Sequence, residues 1–140
     1  MGATTRDELI SKAREAGLFV ISEVGKNNPE LDHELTVDER LDLINSAMNL
    51  GAHYVILEAR EACKNIGIYD ANGNMMHDEH DALAANGTDQ LIFEAPLKNQ
   101  QVALILKYGT QVNLGNIAYD EVTSVETLRR GLRADTVGKV

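Results

Sequence analysis

Short apolar runs, each ending on a glutamate, recur along the chain at nearly equal intervals. The glutamates are Glu23, Glu58 and Glu94, which stand 35 and 36 residues apart. That interval is about the length of one strand, loop and crossover helix in a parallel sheet. A fourth apolar run carries two amides, Asn113 and Asn116. The repeat predicts four parallel strands whose polar carboxyl ends meet at one edge of a sheet.

The composition is that of a globular protein with an aliphatic core. Of the 140 residues, 44% are hydrophobic and 25% charged, but only 4% are aromatic. Val, Ile and Leu dominate strands that helices cover, so this composition disfavours a β-sandwich. We expect an α/β protein with one domain over residues 1–140, in which one helix precedes four strand–helix units.

The net charge and the length of the apolar runs limit the classes of partner that the protein can bind. The formal net charge of −9 argues against binding of nucleic acid, although small anions remain possible where basic groups cluster. No apolar run approaches the roughly 20 residues that cross a bilayer. The first residues lack the basic and apolar regions of a signal peptide, so we expect a cytoplasmic protein with no membrane partner. Cys63 is the single cysteine, and we expect its thiol to be unreactive.

Capping and turn residues place the remaining elements. Threonine followed three residues later by glutamate, at Thr5 and at Thr36, predicts the starts of two helices. The Asn-Gly pair at 72–73 predicts a small hairpin before a short helix. On that helix, His77 and His80 lie one turn apart, but acidic neighbours favour a solvated helix start over a metal site. Asp120 is expected to cap the last helix, whose predicted inward residues are Val122, Val125, Leu128 and Leu132.

Two architectures fit this order of elements. One is half of a TIM-type (βα)8 barrel, and the other is an open flavodoxin-like parallel sheet. In both, the strand-end glutamates lie at the carboxyl edge of the sheet, where parallel α/β proteins bind ligands. Carboxylates there suit Mg²⁺, which bridges to phosphorylated substrates. The alternative is that each glutamate only ends a strand or caps the next helix.

Basic residues accompany these acids. Lys26 follows Glu23, and Arg60 follows Glu58 together with Glu61. Each cation either pairs structurally or faces a bound anion. Near the C-terminus the chain carries three further arginines, Arg129, Arg130 and Arg133. They fit a phosphate site at the last barrel strands or, equally, the negative end of a helix.

Several strings together resemble one family, phosphosulfolactate synthase. They are SEVGK at 22–26, YVILEARE at 54–61, IFEAP at 92–96, QQV at 100–102, VNLGNI at 112–117 and ETLRRGLR at 126–133. The resemblance covers strands five to eight of a (βα)8 barrel. It implies Mg²⁺-dependent addition of sulfite to phosphoenolpyruvate, which gives (2R)-phospho-3-sulfolactate in coenzyme M biosynthesis.

The resemblance also implies roles for the residues named above. Catalytic roles fall to Lys26 as the acid, with Glu23 and Arg60. Metal or positioning roles fall to Glu58 and Glu94. Substrate binding falls to four residues, Asn113, Asn116, Arg130 and Arg133.

The chain departs from the family pattern at a few positions near the implied site. Asn27 replaces a lysine, and residues 59–63 read AREAC where the family has GRESG. Ala134 replaces a glycine before Asp135. A lost glycine adds a Cβ where a backbone amide approaches phosphate. The alternative function is therefore a diverged or truncated half-barrel without turnover, a structural or self-assembling module.

A half-barrel leaves two strand edges and one apolar sheet face uncovered. We expect two copies to associate about a twofold axis, each pairing its last strand with the first strand of the other, as a homodimer or higher homo-oligomer. The alternatives are an open sheet shielded by extra helices, or a fragment that needs its missing half.

Overall fold

The computed structural model describes residues 3–25, 35–58, 69–70 and 72–140. Within these ranges, helices alternate with four strands. In chain order the elements are α1 (Ala3–Glu15), β1 (Ile21–Val24), α2 (Val37–Asn49), β2 (Tyr54–Leu57), α3 (His77–Leu83), β3 (Leu91–Glu94), α4 (Lys98–Tyr108), β4 (Leu114–Gly115), a 3-10 turn (Tyr119–Glu121) and α5 (Val122–Arg129).

The four strands form one parallel sheet in the order β1-β2-β3-β4. A sequential order is that of a singly wound barrel, whereas a flavodoxin-like sheet reverses its strand order at a switch point. The sheet therefore has the arrangement of half a TIM-type barrel. The predicted α/β fold class is confirmed.

Among the described residues, one face of the sheet is better covered than the other. Along β1, β2 and β3 every second residue is buried on this face, and Val24, Val55 and Leu57 join a core with the helices. On the opposite face Ile21 is 49% exposed, and Glu23 is also exposed. Because side chains alternate between faces along a strand, Ile56 and Ile92 share this second face with Glu23. It corresponds to the interior of a closed barrel.

The predicted helix starts have different outcomes. At α2 the capping box is confirmed: Glu39 N–H donates to Thr36 Oγ1 at 3.1 Å, and Thr36 N–H donates to Glu39 Oε2 at 2.8 Å. At α1 the predicted start is wrong, because the helix begins at Ala3 and Thr5 lies inside it. The prediction for Asp120 is also wrong. Asp120 lies in the 3-10 turn, and α5 begins at Val122 without a side-chain cap.

The inward face of α5 is narrower than predicted. Val125 and Leu128 are buried, but Val122 and Leu132 are 58% and 68% exposed. Leu132 lies beyond the end of the helix, so helical periodicity does not apply to it. None of the helices in the described ranges combines the length and apolar character that a membrane crossing needs.

The hairpin and the short helix were both correctly predicted. Tyr69 and Met75 form an antiparallel bridge, and Asp70 N–H donates to Asn74 O at 2.9 Å. His80 on α3, however, is not on a solvated face. It is fully buried and packs against the rings of Tyr69, Phe93 and Tyr108. Its side chain is part of the core.

Candidate active site

Glu58 and Glu94 occupy one row at the carboxyl edge of the sheet. Leu57 pairs with Phe93, and Glu94 pairs with Gly115. Glu58 N–H continues the ladder by donating to Val24 O at 3.1 Å. Because Leu57 pairs with Phe93, the next residues of the two chains, Glu58 and Glu94, lie beside each other on the same face of the sheet. Two carboxylates therefore stand on neighbouring strand ends, as the sequence predicted.

Glu23 lies two residues below the row of Glu58 and Glu94 in the register of the sheet. It pairs with Ile56, which in turn pairs with Ile92. The reason is that β1 runs past its glutamate to Val24, whereas β2 stops just before Glu58 and β3 stops at Glu94. Glu23 shares the uncovered face with the other two glutamates, two residues deeper in register. The expected convergence of three glutamates therefore holds for two of them.

The side chain of Glu58 lies against the backbone of Gly25. A Cβ on residue 25 would stand 2.7 Å from Glu58 Cβ and 2.8 Å from its Oε2, and Gly25 has φ +146°. Glu58 is only 6% exposed. Its carboxylate therefore leans toward the end of β1 and is largely removed from water. Only glycine at position 25 leaves room for it.

The main chain beside Glu94 is fixed by buried polar side chains. The hydroxyl of Tyr69 donates to Glu94 O at 2.7 Å, and Gln101 Nε2 donates to Ala95 O at 2.9 Å. Tyr69 and Gln101 are both buried. Across the ladder, a Cβ on residue 115 would stand 3.0 Å from Ile92 Cγ2 and 3.9 Å from Glu94 Cγ, so Gly115 leaves room chiefly for Ile92.

The two amides near β4 differ in their surroundings. Asn113 Nδ2 donates to Asp89 O and to Leu91 O, both at 3.1 Å. These hydrogen bonds connect the start of β4 to the start of β3. The side-chain NH2 group of Asn113 is therefore engaged in structural bonds. Asn116 is exposed just beyond β4, with φ +53°, a left-handed conformation that Asn tolerates better than most residues. Of the two, Asn116 is nearer the carboxyl edge.

The C-terminal arginines separate toward opposite edges of the sheet. Arg129 donates to Thr110 O, which precedes β4, and neighbouring Arg130 pairs with Glu126 at 2.6 Å. Both arginines line a cleft with residues 110–113, at the amino edge of the sheet. Arg130 therefore lies away from Glu58 and Glu94.

Arg133 returns toward the carboxyl edge. Its Nη1 donates to Ser124 Oγ at 3.1 Å, in the first turn of α5. Nearby, Asp135 pairs with Lys98, the first residue of α4, at 2.8 Å. The hydrogen bond from Lys98 lowers the pKa of the Asp135 carboxyl. This ion pair fastens the C-terminal segment beside the loop that follows Glu94.

Part of the predicted site lies outside the described residues. Lys26 and Arg60 belong to this part, as do Asn27, Glu61 and Cys63. Within the described ranges, no group of three or more His, Cys, Asp or Glu side chains is arranged to hold a metal ion.

Sequence reasoning missed Tyr69, Gln100 and Gln101 as parts of the strand-end structure. Gln100 and Gln101 lie in the first turns of α4, and both are 1% exposed. Adjacent glutamines in the first turn of a helix that follows a strand-end glutamate are a usable signal. Buried amides need hydrogen-bond partners, and the loop carbonyls beside such a site supply them.

Comparison with known proteins places these features in a family. The family model described as (2R)-phospho-3-sulfolactate synthase (ComA) matches residues 1–135. A phosphosulfolactate synthase of Methanocaldococcus jannaschii is 54% identical over 136 residues, covering 96% of this chain and 54% of the relative. One of Methanothermobacter thermautotrophicus is 51% identical, with 94% and 52% covered.

A third relative, the phosphosulfolactate synthase of Bacillus subtilis, is 41% identical over 120 residues, with 84% of this chain and 47% of the relative covered. The chain thus spans about half the length of these curated relatives. The strings that carried the resemblance lie within the matched residues. The chain belongs to the (2R)-phospho-3-sulfolactate synthase family.

Proposed function

We propose that this chain carries the strand-end half of a phosphosulfolactate synthase site, which adds sulfite to phosphoenolpyruvate in coenzyme M biosynthesis. The observation that carries the proposal is the shared row of Glu58 and Glu94 at the carboxyl edge of a sheet in this family. In barrel enzymes, that edge holds the active site. The proposed location is the cytoplasm, and the proposed partners are the two small anions.

The donor set suits Mg²⁺. This ion prefers carboxylate oxygens, commonly takes one or two from the protein, and fills its remaining positions with water and substrate phosphate. Glu58 and Glu94 supply two carboxylates on neighbouring strands, which is enough for this mode of binding. When bound, Mg²⁺ neutralises negative charge on the substrate.

The reaction forms one carbon–sulfur bond and one carbon–hydrogen bond. The sulfur lone pair of sulfite attacks the methylene carbon of phosphoenolpyruvate, and the alkene electrons move toward C2 and its carboxylate. A proton donor then protonates C2, giving (2R)-phospho-3-sulfolactate. Family resemblance makes Lys26 that donor and Arg60 a binder of one anion.

The remaining substrate contacts are assigned by position. Arg133 and Asn116 lie toward the carboxyl edge and suit the substrate phosphate or carboxylate. Arg130 lies at the amino edge of the sheet, and Asn113 is bonded to the main chain at the start of β3. Both positions favour structural roles. Glu23, two residues below the proposed metal ligands in register, suits orientation of the attacking sulfite through bound water.

We also propose that two copies of this chain close one barrel. The uncovered face carries Ile21, Ile56 and Ile92, and β1 has no neighbour on its outer side among the described residues. A twofold axis brings β1 of each copy beside β4 of the other and buries both faces. Light scattering at micromolar concentration should give twice the chain mass, and a strictly monomeric species would reject this closure.

An assay of product formation tests the proposed chemistry. The folded chain with phosphoenolpyruvate, sulfite and Mg²⁺ should form a product with the mass of phosphosulfolactate, and chelation of the metal should abolish the product. Glu94→Gln should lower the rate at least tenfold, because it removes a charged ligand. Glu121→Gln, an exposed acid in the 3-10 turn, is the matched control. No product at saturating substrates would reject the proposed reaction.

The alternative function is a structural half-barrel without turnover. It is favoured by one observation, that residues 59–63 read AREAC where the family has GRESG and that Ala134 replaces a glycine. A ligand that binds only the native state must raise the thermal midpoint. An unchanged midpoint with phosphoenolpyruvate and Mg²⁺ present would favour the structural role.

A further inference from the structure

The carbonyl of Glu94 accepts a hydrogen bond from a tyrosine that lies far from it in sequence. Tyr69 Oη donates to Glu94 O at 2.7 Å, and the Tyr69 side chain is fully buried. The bond joins the hairpin between β2 and α3 to the last residue of β3. Because the donor side chain is buried, water competes less for this bond, which restrains its partner more strongly than an exposed bond would.

Two glutamines hold the residues that follow. Gln101 Nε2 donates to Ala95 O at 2.9 Å, and Leu97 N–H donates to Gln100 Oε1 at 3.0 Å. Gln100 Nε2 also reaches the hairpin by donating to Gly73 O at 3.2 Å. Both glutamine side chains are buried. The loop after Glu94 is therefore fastened to α4 and to the hairpin.

The hairpin that carries Tyr69 is itself fixed. Asp70 Oδ1 accepts hydrogen bonds from Asn72 N–H at 2.8 Å and from Asn74 N–H at 2.9 Å. The Tyr69 ring meets His80 edge to face, with 5.7 Å between the ring centroids, in the aromatic cluster beneath the sheet. The hydroxyl therefore reaches Glu94 from a rigid base.

We propose that Tyr69 is a positioning residue for the site. By holding the carbonyl of Glu94, it fixes the end of β3 and so the direction in which the Glu94 carboxylate leaves the strand. This inference rests on the proposed function of Glu94 as a Mg²⁺ ligand. Small displacements of a metal ligand weaken binding, and buried partners behind the ligand prevent them.

Hydrogen exchange tests the structural half of this proposal. Tyr69→Phe removes only the hydroxyl, so exchange of the Ala95 amide, which donates to Gly115 O, should be roughly threefold to tenfold faster. The Val55 amide, which donates to Gln90 O, should keep its rate and reports global stability. Unchanged exchange at Ala95, or equal acceleration at Val55, would overturn the proposal.

A second tyrosine in the same cluster provides the matched control. Tyr108 stacks on Phe93 with 5.2 Å between the ring centroids, and its buried hydroxyl makes no hydrogen bond within the described ranges. Tyr108→Phe should therefore leave exchange at Ala95 within twofold of the unsubstituted chain. Acceleration equal to that of Tyr69→Phe would assign the effect to the cluster and overturn the role of the Tyr69 hydroxyl.

A double-mutant cycle tests whether Tyr69 acts through Glu94. The readout is the Mg²⁺ concentration that half-completes the rise in thermal midpoint with phosphoenolpyruvate present. Tyr69→Phe should raise this concentration roughly threefold to tenfold in the native chain and leave it unchanged in a Glu94→Gln background. Equal effects in both backgrounds would overturn the positioning role. If the unsubstituted chain shows no response, the proposed function fails, while exchange at Ala95 still decides whether Tyr69 holds the strand end.

Discussion

Glu58 has room for its carboxylate because residue 25 is glycine. The side chain lies where a Cβ of residue 25 would be, and Gly25 has a positive φ that other residues adopt only with strain. One glycine thus sets both the turn after β1 and the direction of the Glu58 carboxylate.

Gly25→Ala should destabilise the fold by about 3 kcal/mol, because it adds a clash to the backbone strain. Gly87→Ala is the matched control, since Gly87 has φ +99° and nothing within 4 Å of an added Cβ. It should cost about 1 kcal/mol from strain alone. Chemical denaturation of both variants measures the difference. Equal losses would show that Glu58 does not occupy the space beside residue 25.

Burial raises the pKa of Tyr108 to about 12, and the charge of Asp81 adds to the shift. The native state therefore favours the neutral phenol, and this contribution to stability is complete below about pH 10. It should be lost as the pH rises from 10 toward 12. Tyr108→Phe should be at least as stable as the native chain at pH 7 and should lose less stability over that alkaline range. Parallel alkaline unfolding curves for the two proteins would contradict this.

At the scale of the elements, the carboxylate of Asp70 accepts the hydrogen bonds that hold the hairpin between β2 and α3. Hydrogen bonds from the backbone of Asn74, and then of Asn72, lower the pKa of Asp70. A lowered pKa gives stability that is present above the unfolded value near 3.8 and is lost as the pH falls through the folded value.

Asp70→Asn should therefore lower the thermal midpoint at pH 7, and the difference from the native chain should shrink as the pH falls below about 4. Asp120→Asn, at an exposed acid in the 3-10 turn, is the control and should change the midpoint little. A difference for Asp70→Asn that stays constant down to pH 2 would show that the carboxylate charge does not hold the hairpin.

Strand order and capping could be predicted from the sequence because they follow local rules. The equal spacing of Glu23, Glu58 and Glu94 predicted the parallel strands, and Thr36 with Glu39 predicted a helix start that the structure confirms. The depth of Glu23 could not be predicted. It depends on where β1 ends relative to β2, and strand ends vary by a residue or two without changing the apolar pattern.

The positions of the arginines also depend on the tertiary structure. Arg130 and Arg133 are three residues apart in sequence, yet α5 ends at Arg129 and the chain turns at Gly131, between the two arginines. Arg130 thereby remains at the amino edge, and Arg133 returns to Ser124. Gly131, with φ +66°, marks the end of α5 in the sequence, but the direction in which the chain then returns depends on tertiary contacts.

At the scale of the whole molecule, the proposed closure concerns the sheet face that the described residues leave uncovered. If two copies close a barrel, Ile21 becomes buried, although it is 49% exposed in the single chain. Ile21→Lys should then shift the assembly toward monomer at least tenfold, because a buried lysine costs several kcal/mol. Leu132→Lys changes a 68% exposed residue away from the sheet and is the control. Equal dissociation constants for the two variants, measured by sedimentation, would contradict closure through this face.

The central claim is that Glu58 and Glu94, on one row, bind Mg²⁺ together with phosphoenolpyruvate, while Glu23 lies outside that row. The most direct measurement is the Mg²⁺ concentration that half-completes the ligand-induced rise in thermal midpoint. Glu58→Gln and Glu94→Gln should each raise it at least tenfold, and Glu23→Gln should leave it within twofold. If Glu23→Gln has the largest effect, or if none of the three variants changes it, the assignment of the metal site is wrong.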